Sequence, residues 1–311
     1  MFKKAMDLIQ KSNTITIASH INPDGDAIGS MLGLYIALKT IHKKVHLFNA
    51  SEEINKKYDF LPMVSKIKNK MPERLDLLIS VDCASFDRIG ADKKSCQIIN
   101  FDHHRTNTFF GDINFVKEDY VSTSMMIYEF IKDSNLKISP ECATCIYTAL
   151  VEDSGFFKYE RVDKKAFEVA KELVEFGAKP QRIASYLTQR NSLAKIRLMQ
   201  IYLDSMVLKR DAMVCVSKLS KEDYDKTGAT LGDSDEFVQI GLSLATVKLS
   251  IFVYETEEKK AKFSLRSKED VDCSAIAIRY GGGGHKKAAG FTANLNDIDD
   301  IIENILKKVN L

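Results

Sequence analysis

Histidine and aspartate recur in this sequence where an apolar run comes to an end. ITIASH leads into INPDGD, which places His20, Asp24 and Asp26 within seven residues. Pro23 bars a regular helix or ladder position, and Gly25 accepts backbone conformations that other residues resist. The turn can therefore gather all three side chains before a helix that opens at Ala27. Imidazole plus carboxylates suits manganese, iron or zinc, and the preponderance of oxygen favours manganese, then magnesium or cobalt. Taken alone, His-x-x-x-Asp-x-Asp is better read as a helix N-cap with an incidental histidine.

Two further runs end in the same way, Asp82 after LLISV and Asp102-His103-His104 after IINF. A charge leaving a buried strand has little structural reason beyond capping a turn. Asp153 closes the helical pattern TALVED, where an acid opposes the helix dipole unless a cation lies near. If Asp24, Asp26, Asp82, Asp102 and Asp153 converge, one cation leaves large repulsion uncompensated, whereas two divalent ions balance most of it. Such a pair ionises a bridging water, whose hydroxide attacks phosphorus in line, so the expected chemistry is metal-assisted phosphoester hydrolysis.

A second constellation, Gly281-Gly282-Gly283-Gly284-His285-Lys286-Lys287, lies between a helical pattern and the apolar run AAGFTA. Consecutive glycines expose backbone N–H groups as an anion nest, and His285 with the two lysines supports phosphate binding there. The run lacks the Gly-Lys-Ser/Thr ending of a nucleotide P-loop. Arg105 and Arg266 are candidate phosphate clamps, since guanidinium binds phosphate bidentately. Cys142-x-x-Cys145 sits inside a helical pattern with no second pair to complete a zinc site, and is read as structural.

The elements that must position these residues follow from the same runs. ITIASH, KKVHLF, DLLISVDC and CQIINFDHH read as strands separated mostly by helical patterns, which implies a doubly wound, mainly parallel α/β sheet flanked by helices. In such sheets ligands bind beyond the carboxyl ends of the strands. From Ser122 the pattern is helical, ending in one long polar stretch from Pro180 to Met206. Short alternating runs (AMVCVSKL, LSIFVYET, AKFSLRS) then imply an antiparallel sheet with helices at DCSAIAIRYG and NDIDDIIENILKKV, a smaller α+β domain. The expected division is residues 1–190 for the metal-binding domain, 191–210 for a connector helix and 211–311 for a substrate-binding domain.

Composition agrees with a folded enzyme of 311 residues in two domains: 45% apolar and 28% charged residues. The 45 Lys and Arg nearly balance 43 Asp and Glu, so anions are held locally and not by a global basic field. No apolar stretch approaches the roughly 20 residues of a bilayer span. The N-terminus MFKKAMDLIQKSN reads as an amphipathic helix and not a signal peptide, so a cytoplasmic protein with reduced cysteines and no membrane partner is expected.

Five segments, HINPDGDAIGS, LISVDC, FDHHRTN, ALVEDSGFF and GGGGHKKAAG, resemble the successive motifs of the DHH phosphoesterase superfamily, in the same order and over almost the whole chain. The resemblance implies that His20, Asp24 and Asp82 bind one metal and Asp26, Asp82, His103 and Asp153 the other, with Asp82 as the bridge. It also implies that His104 acts on the scissile phosphate or the leaving oxygen, that Asp102 orients its neighbours, and that Gly282, Gly283, Gly284 and His285 bind substrate. Among DHH proteins the chain resembles the stand-alone nanoRNases or pAp phosphatases, which implies short RNA or DNA oligonucleotides, nucleoside bisphosphates, and linear or cyclic dinucleotides as partners, and a homodimer. A manganese-dependent inorganic pyrophosphatase shares length and metal motifs, but there Thr usually stands in place of Gly25 and the glycine-histidine loop is missing. The reading from another class is a nucleotide or RNA sensor, which needs phosphate clamps but no water-activating metal pair.

Overall fold

The computed structural model describes residues 2–256, 259–268 and 271–309. Two compact units divide the chain, Met1–Arg190 and Asn191–Leu311. Unit 1 runs α1 (Lys3–Lys11), β1 (Thr14–Ala18), α2 (Gly25–Lys39), β2 (Lys44–Phe48), β3 (Ile67–Lys68), β4 (Leu77–Val81), β5 (Gln97–Asp102) and β6 (Ile113–Val116). Four helices complete it: α3 (Thr123–Asp133), α4 (Pro140–Asp153), α5 (Lys164–Glu175) and α6 (Pro180–Thr188).

All five strand pairings of this sheet are parallel, in the order β3-β2-β1-β4-β5-β6. β4 is buried at every residue, which is why it reads as an apolar run interrupted only by Ser80. The chain winds outward in both directions from the β1–β4 pair, and that reversal opens a crevice at the carboxyl ends of these strands. The strands without a sequence signal, β3 and β6, are the short, half-covered edges.

α2 is buried on nearly all sides, so it lacks an amphipathic pattern. Its Gly25, Gly29 and Gly33 recur every fourth residue along one face, against α4. A Cβ on Gly29 would lie 2.4 Å from the Cys145 carbonyl oxygen, and one on Gly33 would lie 2.6 Å from Ile146. The stripe lets the two helices run antiparallel at close range, which carries the end of α4 to the start of α2. Cys142 and Cys145 are buried in this contact, with Cys142 Sγ donating to the Gly33 carbonyl at 3.3 Å.

Unit 2 comprises α7 (Leu193–Asp204), β7 (Val207–Lys209), β8 (Val214–Leu219), α8 (Lys221–Thr227), α9 (Phe237–Ser243), β9 (Leu249–Glu255) and β10 (Lys260–Ser267). It ends with α10 (Cys273–Ile278), β11 (Gly283–His285), β12 (Ala288–Asn294) and α11 (Ile298–Lys308). Its sheet order is β11-β12-β10-β9-β8-β7. β9 serves two cores: Ile251 and Val253 pack with residues of α10 and α11, while Phe252 and Tyr254 pack with Leu198, Tyr202 and Phe237 from α7 and α9.

Several expectations are corrected. The sheet of unit 2 is mixed, because β8 and β9 are parallel; α8 and α9 form the crossover that such a pair requires. The long helical stretch from Pro180 breaks into α6 and α7, since the Ser192 side chain accepts from Lys195 N and starts a new helix. The helix in the first motif opens at Gly25 and not at Ala27, with Asp24 as its N-cap. Part of the glycine run is a strand, as Gly283–His285 pairs with β12 through a two-residue turn. Among the described residues no helix is long and apolar enough to cross a membrane.

Candidate metal centre

The carboxyl ends of β1, β4 and β5, the start of α2 and the end of α4 bring their histidines and acids together. His20 follows β1, and its Nδ1 donates to the Ile21 carbonyl at 2.9 Å. The ring is thereby oriented with Nε2 facing Asp82 Oδ2 at 3.5 Å and Asp24 Oδ1 at 3.9 Å. His103 repeats the device. Its Nδ1 donates to the Tyr120 carbonyl at 3.2 Å, and Nε2 faces Asp153 Oδ2 at 3.3 Å, Asp82 Oδ1 at 3.7 Å and Asp26 Oδ2 at 4.0 Å.

Asp82 stands between the two sets, turning one oxygen towards each histidine. Its backbone is left-handed at φ 57°, a conformation costly for a non-glycine residue and held by Asp82 N donating to the Phe101 carbonyl. Thr123 Oγ1 donates to Asp82 Oδ1 at 3.0 Å. Asp26 is set in the first turn of α2 and caps α3 from outside, accepting from Thr123 N at 2.6 Å, Ser124 N at 3.0 Å and Ser30 Oγ at 3.2 Å.

The electrostatics of the cluster call for cations. Burial and the neighbouring carboxylates push Asp26 and Asp153 well above the usual carboxylate range, and Asp24 is raised for the same reasons. Burial would raise Asp82 too, but its hydrogen bond to His20 and the three facing imidazoles hold it well below its ordinary value. Asp153 Oδ2 is buried without a hydrogen-bond donor among the described residues and confronts a nitrogen lone pair. A divalent ion satisfies both groups at once. The triplets His20/Asp24/Asp82 and Asp26/His103/Asp153 each place their ligand atoms within 4.8 Å of one another. The residues present therefore fit two ions sharing Asp82.

His104 is arranged differently. Its Nδ1 donates to Asp102 Oδ1 at 2.7 Å, and Asp102 Oδ2 accepts from Asn107 Nδ2 at 2.6 Å. Burial pulls the imidazole down, but the Asp102 hydrogen bond and the Asp82 charge outweigh it and raise it to about 9. Asn107 also donates to the Cys83 carbonyl and accepts from Phe109 N, which locks this small loop.

Arg105, expected as a phosphate clamp, is 89% exposed and pairs with Glu118 at 3.2 Å. Two other arginines act on the cluster from exposed positions: Arg161 on Asp153 and His103, and Arg88 on His104. Neither carries a sequence signal, because each lies several residues beyond a motif. Asn107 does have one, as the last residue of FDHHRTN. Glu152 was also missed; it forms an ion pair with Lys57, and a Cβ on Gly25 would lie 1.9 Å from its Oε2. Gly25 is thus required for close approach to Glu152, and not for an unusual backbone conformation. Arg266, Gly283 and Gly284 line a cavity of unit 2, while Gly282 packs beneath it against Gly290 and Phe291, and His285 ends β11.

Comparison with known proteins places this geometry. The DHH family N-terminal domain matches residues 14–150 and the DHHA1 domain matches residues 211–310. The bifunctional oligoribonuclease and PAP phosphatase NrnA of Thermus thermophilus is 32% identical over 298 residues, spanning 95% of this chain and 89% of that one. The crystal structure of an exopolyphosphatase-related protein from Bacteroides fragilis superposes with a TM-score of 0.92 at 29% identity, covering 99% of this chain and 95% of that one. RecJ from Thermus thermophilus, crystallised in complex with Mn2+, shares the fold at a TM-score of 0.57 and 14% identity, over 97% of this chain and 53% of its own.

Proposed function

Because the chain belongs to the DHH family, we propose that it is a metal-dependent phosphoesterase acting on short oligoribonucleotides and on nucleoside 3',5'-bisphosphates such as pAp. The observation that carries the metal dependence is the donorless Asp153 oxygen 3.3 Å from the His103 lone pair, beside an Asp82 that faces both histidines. His20, Asp24 and Asp82 would hold one ion and Asp26, Asp82, His103 and Asp153 the other. Manganese is the ion we assign, on the balance of two imidazoles to four carboxylates. When bound, such a pair supplies charge neutralisation at the phosphoryl group and acidifies water.

The chain's own residues do the rest. His104, raised to about 9, carries a proton at neutral pH and presents it towards the leaving oxygen, while Asp102 and Asn107 hold its ring. Asp82 and Asp26 are kept in place by the Thr123 hydroxyl and the amide groups of α3, so the ligand set is preorganised before any ion enters. Arg88 and Arg161 add positive charge on the solvent side, where an anionic substrate must approach. No observation favours the pyrophosphatase or sensor readings.

The test is manganese-dependent hydrolysis of a labelled dinucleotide, a pentanucleotide, pAp, a cyclic dinucleotide and pyrophosphate by the purified chain and by Asp82→Asn. Cleavage of the oligonucleotides or pAp that the substitution abolishes supports the reading. Cleavage of pyrophosphate alone, or tight binding of nucleotides with no cleavage, refutes it.

A further inference from the structure

Two ligand-bearing segments touch at Gly25 and Glu152. Gly25 stands between Asp24 and Asp26, and Glu152 immediately precedes Asp153, so one contact joins the backbone beneath three of the acids assigned to the ions. The approach is close: a Cβ on Gly25 would lie 1.9 Å from Glu152 Oε2, 2.7 Å from its Cδ and 3.1 Å from its Cβ, so the side chain lies along the start of α2. Oε2 is buried and accepts no hydrogen bond among the described residues. A further carboxylate at this place is costly. It lies near enough to Asp24 for the two to repel, beside a cluster already rich in acids. A neutral side chain would fill the same space, so packing does not account for the charge.

The partners of Glu152 do account for it. Lys57 Nζ forms an ion pair with Oε1, and the Tyr58 hydroxyl is hydrogen-bonded to the same carboxyl group. Both come from a 3-10 turn, Lys56–Tyr58, that is itself fixed at successive residues. Asn55 Oδ1 accepts from Lys57 N at 2.9 Å, and Tyr58 packs in the core of unit 1. Arg190 donates to both oxygens of Asp59, and Phe60 stacks on Tyr186 of α6 with ring centroids 4.6 Å apart and planes 4° from parallel. Arg190 is the last residue of unit 1, so the turn is tied at one side to the place where the chain leaves the unit and at the other to the metal centre. An ion pair in open solvent would restrain little. A charge-assisted bond to a largely buried carboxylate, made from a turn anchored in this way, is directional and holds Glu152 in one position.

We propose that Glu152 is a positioning residue: pinned by Lys57 and Tyr58 against Gly25, it fixes the end of α4 on the start of α2 and so sets the spacing of the two ion sites. Asp24 serves one site, Asp26 and Asp153 the other, and the strut formed by Glu152 and Lys57 holds them at a constant separation. The inference rests on the two-ion reading given under Proposed function and adds to it the residues that maintain the geometry.

Manganese titration of the full chain, followed by electron paramagnetic resonance, tests it. Two ions that share Asp82 give an exchange-coupled spectrum, distinct from that of isolated ions. Glu152→Ala and Lys57→Met should each weaken manganese binding about tenfold or more, the usual consequence of losing a group that orients ligands. At equal manganese they should also replace part of the coupled signal by that of isolated ions. At saturating manganese kcat should return towards the parental value, because neither side chain is assigned to an ion or to the substrate. Lys57→Arg keeps the ion pair and should bind manganese as the parental chain does. Lys57 is partly exposed, so Lys57→Met leaves the core filled even if Glu152→Ala fails to fold.

Parental affinity and coupling in Lys57→Met would overturn the proposal, as would a loss equally large in Lys57→Arg. Hydrolysis of pAp and a labelled dinucleotide by the same preparations keeps the two readings apart. Cleavage by the parental chain with an unchanged Lys57→Met spectrum sinks the positioning role and leaves the phosphoesterase. A coupled manganese pair that Lys57→Met disrupts, in a chain that cleaves neither nucleotide, sinks the phosphoesterase and leaves the positioning role.

Discussion

The metal centre of unit 1, at the carboxyl ends of its strands, and the cavity of unit 2, against its paired strands, expose their polar groups in opposite ways. In unit 1 the polar groups are buried: His20, Asp26, Asp82, Asp102 and His103 are all shielded from solvent. Each is restrained by a backbone group or a neighbouring side chain, and the acids cannot all ionise without added positive charge. In unit 2 the glycine-histidine strand faces outward: Gly283, Gly284 and His285 are exposed. A buried, crowded site trades tolerance for precision, since each carboxylate depends on its neighbours.

That contrast predicts unequal sensitivity. The largest effect belongs to Asp82→Asn, which removes the charge shared by both ligand sets. Activity should fall by roughly four orders of magnitude, as several kcal/mol of charge stabilisation are lost, and bound manganese measured by atomic emission should drop with it. Retained metal with retained turnover would break the distinction between the two regions.

His104→Gln should lower kcat by about 10²- to 10⁴-fold, the range of a general acid, with manganese content unchanged. The pH profile sharpens this. His104 gains its proton affinity from Asp102, so its charged form is present below about pH 9 and lost as pH rises through that value. Asp102→Asn removes the carboxylate that raises it, and the alkaline limb of kcat should move to lower pH. An unmoved limb would show that another group carries the proton.

Gly29→Ala probes the packing beneath the centre. The added Cβ would press on the Cys145 backbone, and overpacking of this kind costs about 1–3 kcal/mol, read as a lower Tm with weaker metal binding. Gly283→Ala in unit 2 meets no atom and should leave Tm unchanged. The smallest effect is expected from Arg266→Ala, about a tenfold rise in KM with little change in kcat, because a phosphate clamp binds ground state and transition state alike.

Much of unit 1 was legible because its signal is local. An apolar strand followed at once by Asp or His announces both the element and the ligand, as at Asp82 and His103. Legibility failed where the partner is distant. Nothing near Gly25, Gly29 and Gly33 announces that α4, more than a hundred residues on, fills the groove they leave. Arg105 looked like a clamp because it follows two histidines, yet Glu118 lies close enough to take its guanidinium. The parallel pairing of β8 with β9 was missed because alternation of apolar residues marks a strand and is silent on its direction.

By itself the sequence determined the ligand inventory, the strand ends that carry it and the order of the two units, because side-chain chemistry and a period of two or 3.6 are properties of neighbours along the chain. Tertiary structure alone decided which oxygen of Asp82 faces which histidine, that Asn107 steadies Asp102, and that Asp235 lines one cavity with Lys262 and Arg266. Those contacts follow from how helices and strands far apart in sequence pack, and distance along the chain carries no record of them.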